Sequence, residues 1–159
     1  MKKTILFFFL VLILSSFVIA QVKVYKGTSA YSSDVICTVE SGKVYKKSSS
    51  YTSDIICHVT KNRVYKGNSD YTSDVIYTIT DGKVYKGTSS YTSDIEFTIK
   101  DSKIYKGTSS YTSDIAATIA DGKVYSGTSS YTSDIVFTIQ GNLTIEEFVA
   151  VWYTVKYHY

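Results

Sequence analysis

A single phrase of twenty residues, Lys-Val-Tyr-Lys-Gly-Thr-Ser-Ser-Tyr-Thr-Ser-Asp-Ile-x-x-Thr-Ile-x-Asp-Gly, is repeated six times without a gap from Lys23 to Asn142. A fixed period of this size restricts the chain to a repeat architecture, in which each unit buries its apolar side against its neighbours. The copies begin at Lys23, Lys43, Arg63, Lys83, Lys103 and Lys123.

Each copy reads as part of a hairpin. Asp74-Val-Ile-Tyr-Thr-Ile-Thr80 and Lys83-Val-Tyr-Lys86 are β-prone runs flanking Asp81-Gly82. An Asp-Gly pair is a strong signal for a type I′ turn, whose two central residues both need positive φ. The equivalent pairs are Ser41-Gly42, Lys61-Asn62, Asp101-Ser102, Asp121-Gly122 and Gly141-Asn142, of which only Asp101-Ser102 lacks a Gly or Asn. A two-residue turn sets Thr80 opposite Lys83, Ile79 opposite Val84 and Thr78 opposite Tyr85. Side chains alternate across a strand, so Val75, Tyr77, Ile79 and Val84 are expected on one face and Ile76, Thr78 and Tyr85 on the other. The first face is apolar in every copy and is the expected core face. The second carries Glu96 and Ala116 where other copies have Ile36, Ile56 and Ile76, and is expected half-exposed.

A polar link such as Gly87-Thr-Ser-Ser-Tyr-Thr-Ser-Asp94 joins successive hairpins. Its Tyr (Tyr31, Tyr51, Tyr71, Tyr91, Tyr111, Tyr131) and its Asp (Asp34, Asp54, Asp74, Asp94, Asp114, Asp134) occur in all six copies. Ser, Thr and Asp side chains bond to nearby backbone and favour tight turns, which is the role expected of the Asp. The Tyr ring is expected to pack on the neighbouring unit with its hydroxyl at the rim.

Residues 1–20 read as a cleaved signal peptide: Lys2-Lys3, an apolar run from Ile5 to Leu14, and Val18-Ile19-Ala20 before Gln21. The run is short for a membrane anchor. The expectation is therefore export to the periplasm, the cell surface or the medium, as a chain of about 139 residues. Without Lys2 and Lys3 there are 15 basic against 14 acidic residues, a net charge of +1. Nucleic-acid binding, which needs a basic stripe, is not expected, and neither is membrane association after cleavage.

Cys37 and Cys57 hold one repeat position in adjacent copies. An oxidising compartment permits a disulfide between them; two buried free thiols filling small-residue sites are the alternative. A metal site is not expected, because His58 alternates to the face opposite Cys57.

The pattern breaks after Asn142. Thr144-Ile-Glu-Glu147 is a capping box, and Ile145, Phe148, Val149, Trp152 and Val155 share a helical face. A helix from 145 to about 156 is expected to cap the repeats over residues 143–159. A strand is the competing reading, because Val149, Val151, Tyr153, Val155 and Tyr157 also alternate.

The chain supplies five complete hairpins, at 34–46, 54–66, 74–86, 94–106 and 114–126, plus a lone strand at each end, 22–26 and 134–140. A closed ring would pair those two strands as a sixth hairpin and remove exposed edges; a linear stack would not. The expected class is thus all-β: repeated hairpins around a common axis, a closed flower or toroid, with a C-terminal helix.

The strings Lys83-Val-Tyr-Lys-Gly-Thr-Ser-Ser-Tyr-Thr-Ser-Asp-Ile95 and Leu143-Thr-Ile-Glu-Glu-Phe-Val-Ala-Val-Trp152 resemble the bacterial exported proteins that carry the 4-fold β-flower domain. The resemblance implies hairpin petals around an axis, with no catalytic or binding residues to transfer. Six copies leave two arrangements open, a ring of six petals or four closed petals with the others outside.

No Cys/His or Ser/His/Asp set points to catalysis, and no catalytic residue, cofactor or metal is expected. The function expected is a non-catalytic structural or interaction protein. Within that class, the six loop tyrosines are candidate ligand-binding residues for a cell-surface glycan or protein. The alternative is a self-assembling surface or fibre component built on cross-β ladders.

Overall fold

A computed structural model describes residues 21–159; the expected signal peptide at 1–20 lies outside the described residues. The strands are β1 (Val22–Lys26), β2 (Val35–Glu40), β3 (Lys43–Lys46), β4 (Ile55–Thr60), β5 (Arg63–Lys66) and β6 (Val75–Thr80). They continue as β7 (Lys83–Lys86), β8 (Ile95–Lys100), β9 (Lys103–Lys106), β10 (Ile115–Ala120), β11 (Lys123–Ser126) and β12 (Ile135–Gln140), followed by one helix, α1 (Ile145–His158). Every strand pairs antiparallel with its sequence neighbours, and β1 pairs with β12, so the twelve strands close into a barrel.

The seam is a full ladder. Lys23, Val24, Tyr25 and Lys26 face Gln140, Ile139, Thr138 and Phe137. The Gly27 amide donates to the Val136 carbonyl at 3.0 Å, and the Tyr25 hydroxyl donates to Gln140 Oε1 at 3.0 Å. The two end strands therefore make the sixth hairpin. All six copies stand in one ring, so the four-petal arrangement carried by the resemblance is replaced by six.

The turns form as the residue pairs dictate. Asp81 and Gly82 have φ of 50° and 73°, and Thr78, Ile79 and Thr80 face Tyr85, Val84 and Lys83. Asp101 and Ser102 adopt the same turn, at 50° and 57°, with a side chain where others have Gly. Each turn also docks on the next petal: the Ile99 amide donates to the Gly82 carbonyl, and the Ile119 amide to that of Ser102, at 2.7 and 2.8 Å.

The facing of the strands differs from simple alternation at one repeat position. Where neighbouring petals pair, the register slips by one residue: Val64 faces Tyr77, but Tyr65 faces Val75, so Ile76 is bulged out of the ladder. The same slip recurs at Ile36, Ile56, Glu96, Ala116 and Val136. A bulge sets two residues against one on the partner strand. Val35, Ile55, Val75, Ile95, Ile115 and Ile135 consequently turn outward, where they are buried opposite the strand tyrosines Tyr25, Tyr45, Tyr65, Tyr85, Tyr105 and Tyr125. The bulged residues turn inward instead, and Ile36 joins the interior cluster. The expected core face is thus correct for Tyr77, Ile79 and Val84 and reversed for Val75 and Ile76 and their equivalents.

The interior explains the helix. Eight-stranded barrels fill with their own side chains, whereas a wider one encloses a lumen. A helix of about 10–12 Å diameter suits that space. Phe148, Val149, Ala150 and Val151, four consecutive residues spanning a full turn, are all buried. A helix buried all round is enclosed, not laid on a surface. Its partners encircle it. Phe148 and Trp152 meet Phe137, Trp152 also meets Phe97, Tyr153 meets Tyr77, and the Ala150 carbonyl lies 3.7 Å from Cys57 Sγ. These belong to β12, β8, β6 and β4 at one repeat position, so α1 plugs the lumen instead of capping an end.

The residues of that ring, Cys37, Cys57, Tyr77, Phe97, Ala117 and Phe137, are graded to the helix. The two cysteines let the backbone approach β2–β5, while the aromatics fill the wider side. Ala117, between Phe97 and Phe137, leaves room for the Trp152 indole. The capping box forms as expected: the Glu147 amide donates to Thr144 Oγ1 at 3.2 Å, and the Thr144 amide donates to Glu147 Oε2 at 3.0 Å.

Candidate functional site

Antiparallel alternation in a closed ring places every two-residue turn at one end of the barrel and every long loop at the other. The loop end therefore carries six near-copies of one surface, at 27–34, 47–54, 67–74, 87–94, 107–114 and 127–134.

Each loop is braced from within. In the fourth, Tyr91 N–H donates to Ser89 Oγ at 3.1 Å, and the Ser89 hydroxyl donates to Asp94 Oδ2 at 2.5 Å. The Asp94 amide donates to the Tyr91 carbonyl at 2.9 Å, closing a 3-10 turn over Thr92–Asp94. The same side-chain relay links Ser29, Ser49, Ser69, Ser109 and Ser129 to Asp34, Asp54, Asp74, Asp114 and Asp134. The Asp thus acts through the Ser hydroxyl, not by the direct backbone capping expected. Below five of the six loops a strand Thr anchors the chain, as where Thr78 Oγ1 donates to the Gly87 carbonyl at 2.8 Å.

The brace leaves the tyrosine rings outside. Tyr31, Tyr51, Tyr71, Tyr91, Tyr111 and Tyr131 are 74–76% exposed. This corrects the expectation that they pack on neighbouring units: the rings that pack between petals are the strand tyrosines. The physical reason is the 3-10 turn, which folds the loop back on its own Ser and Asp and points the ring away from the barrel.

Beside two of these tyrosines stands the last residue of the preceding strand. Lys26 and Lys66 line open grooves with Tyr31 and Tyr71, of about 760 and 910 Å³. Lys86 is tied inward, to Glu96 at 3.2 Å, and Glu96 also accepts from Lys156 of α1 at 2.9 Å. The bonds from Lys156 and then Lys86 hold the Glu96 carboxyl below its ordinary range, against an opposing effect of burial.

The larger groove lies on an atypical petal. His58 stands where the other copies have Thr, and its Nδ1 is 2.8 Å from the Gly67 carbonyl, the contact that Thr makes elsewhere. Its Nε2 is 3.0 Å from Asp70 Oδ1, and its ring stacks on Tyr65 with centroids 5.2 Å apart. Both ring nitrogens thus stand within hydrogen-bond distance of a loop oxygen. Sequence reading singled out neither Asp70 nor Asn68. The available signal was that three departures from the repeat, His58, Asn68 and Asp70, fall within thirteen residues.

Cys37 and Cys57 are free thiols, fully buried in the lumen. Each faces β3 from opposite sides, Cys37 opposite Lys46 and Cys57 opposite Val44. Two strand spacings separate them by about 9.5 Å. That exceeds the roughly 7 Å limit on a disulfide's Cα separation, so the disulfide alternative does not fit this ring. Burial pushes the Cys57 thiol up to about 12 and raises that of Cys37 as well. His58 faces away from Cys57, on the outer surface.

No curated protein and no solved structure matches the chain. A family model, that of the 6-fold beta flower protein, matches residues 24–152, from the first strand of the ring through Trp152 in the lumen. Six hairpin petals in one closed ring agree with that description, and the chain belongs to the 6-fold beta flower protein family.

Proposed function

We propose that this protein is an exported, non-catalytic interaction module that grips a cell-surface glycan with the loop end of its ring. One observation carries the reading: six tyrosine rings, each 74–76% exposed, are held out by the same hydrogen-bonded brace at one end of the barrel. Solvent-facing aromatic rings gain nothing for the fold, and an array of them at one end is the kind of exposed apolar surface that marks an interaction site. Tyrosine suits saccharides, offering an apolar face to the C–H side of a sugar and a hydroxyl at the edge. Two strand spacings set neighbouring loops roughly 10 Å apart along the ring, so one repetitive ligand can reach several weak sites and bind by avidity.

Export is supported by the Lys2-Lys3, apolar and Val-Ile-Ala pattern of the first twenty residues. Strands of 4–6 residues are too short for the 9–11 that a membrane-spanning barrel needs, which supports a module acting outside the bilayer. Ring closure covers the strand edges that cross-β assembly would use, which favours recognition over fibre formation.

The test is sedimentation with insoluble cell-wall polysaccharide alongside a glycan array. The wild type is expected to bind, and serial Tyr→Ser replacement at 31, 51, 71, 91, 111 and 131 to weaken binding stepwise at constant melting temperature. A six-Ser variant that binds like the wild type, or a wild type that binds none of the glycans, overturns the reading.

A further inference from the structure

The six loops are not equivalent, and the third differs in a coordinated way. Loops four to six are identical, Gly-Thr-Ser-Ser-Tyr-Thr-Ser-Asp, whereas the third reads Gly67-Asn-Ser-Asp-Tyr-Thr-Ser-Asp74. Its two changes put an amide and a carboxylate beside Tyr71, in a groove of about 910 Å³ that Lys66 also lines. The third change, His58, lies beneath them and binds Asp70 directly at 3.0 Å. His58 is buried while the Asp70 side chain is 79% exposed, so a fixed ring holds one oxygen of a carboxylate that otherwise faces solvent.

We infer that the Asn68–Asp70–Tyr71 groove is the principal saccharide site of the ring, with His58 as its positioning residue. The inference rests on the glycan reading above and deepens it. Vicinal sugar hydroxyls need an acceptor and a donor side by side. The Asp70 carboxylate accepts, the Asn68 amide donates and accepts, and Tyr71 supplies the face on which the pyranose lies. The other loops offer at most single, freely turning hydroxyls at these positions, Ser or Thr, and the first has Ala30 in place of Asp70. Holding one Asp70 oxygen on His58 Nε2 reduces the side-chain freedom lost on binding.

His58 can be separated from its structural duty. His58→Thr restores the residue found in the other petals, whose hydroxyl makes the same bond to the loop carbonyl, yet it cannot reach Asp70. Trisaccharides of N-acetylglucosamine, glucose, mannose and galactose serve as probes, titrated by calorimetry with amide NMR mapping. At low ligand, the amides of residues 67–71 are expected to shift ahead of those in the other five loops. Asp70→Ser should lower affinity at this loop about tenfold, and His58→Thr severalfold, with the melting temperature unchanged. The Asn68→Thr/Asp70→Ser double variant, which restores the consensus loop, should leave the third loop as weak a site as loops four to six. If the six loops shift together and these variants bind like the wild type, the inference fails while the glycan reading stands. If none of the sugars shifts any loop and the wild type also ignores cell-wall polysaccharide, both fail together.

Discussion

At the scale of single residues, the turns show how closely local chemistry was tied to the fold. Asp81-Gly82 was legible because positive φ at both positions leaves few residue choices. A Cβ on Gly82 would sit 2.5 Å from the Ile99 carbonyl oxygen of the next petal, so Gly82→Ala is expected to cost about 2 kcal/mol or more, read by urea unfolding. Ser102 already carries a side chain at φ 57°, and Ser102→Gly should gain about 0.5 kcal/mol after the extra freedom of the unfolded chain is counted. The bulge was not legible. Val75 and Ile76 are both apolar and β-branched, so nothing in their identity says where the ladder slips; only the pairing between petals decides it. The cysteines were legible as small core residues, but their separation depended on strand order. Buried, and with raised thiol pKa values, Cys37 and Cys57 should resist a thiol reagent at about pH 8 until the protein is unfolded. Rapid labelling of the native protein would contradict that.

At the scale of elements, α1 carries the clearest lesson. Its capping box announced a helix, the alternation of Val149, Val151, Tyr153, Val155 and Tyr157 offered a strand, and neither reading used its four consecutive apolar residues, 148–151. They are the signature of a helix wrapped on every side, which one-faced amphipathic reasoning does not anticipate. Phe148→Ala should therefore cost about 3–5 kcal/mol, a core-sized loss rather than the smaller one of a surface cap. The helix C-terminus is fastened by Glu96, whose folded-state pKa is lowered by Lys156 and Lys86. A carboxylate with a depressed folded pKa adds stability that is present above its unfolded pKa and lost as pH falls through the folded one. Wild-type stability should thus decline with acid below about pH 4.5, and Glu96→Gln should remove part of that decline while lowering stability at neutral pH. Identical acid profiles for the two proteins would show that the Lys86–Glu96–Lys156 link contributes nothing.

At the scale of the whole molecule, count and chemistry together dictate the ring. Six copies leave one strand over at each end, and Val24 and Tyr25 repeat the pattern of Val44 and Tyr45, so β1 can complete the petal that β12 begins. This much the repeat made plain. It could not reveal how wide the ring is, because petal number depends on whether all copies join, nor that a lumen so wide must be filled by the chain's own helix. The rim followed the same division. Its six tyrosines were evident in the sequence, but their exposure depended on the 3-10 turn and the Ser–Asp relay behind them. Everything proposed for the loop end requires that the seam hold as firmly as the other petals. Native-state amide hydrogen exchange across β1 and β12 tests this most directly. Protection at the hydrogen-bonded amides of the seam equal to that of β6 and β7 is the predicted result; seam amides that exchange like a frayed edge while the other petals stay protected would contradict the closed six-petal ring.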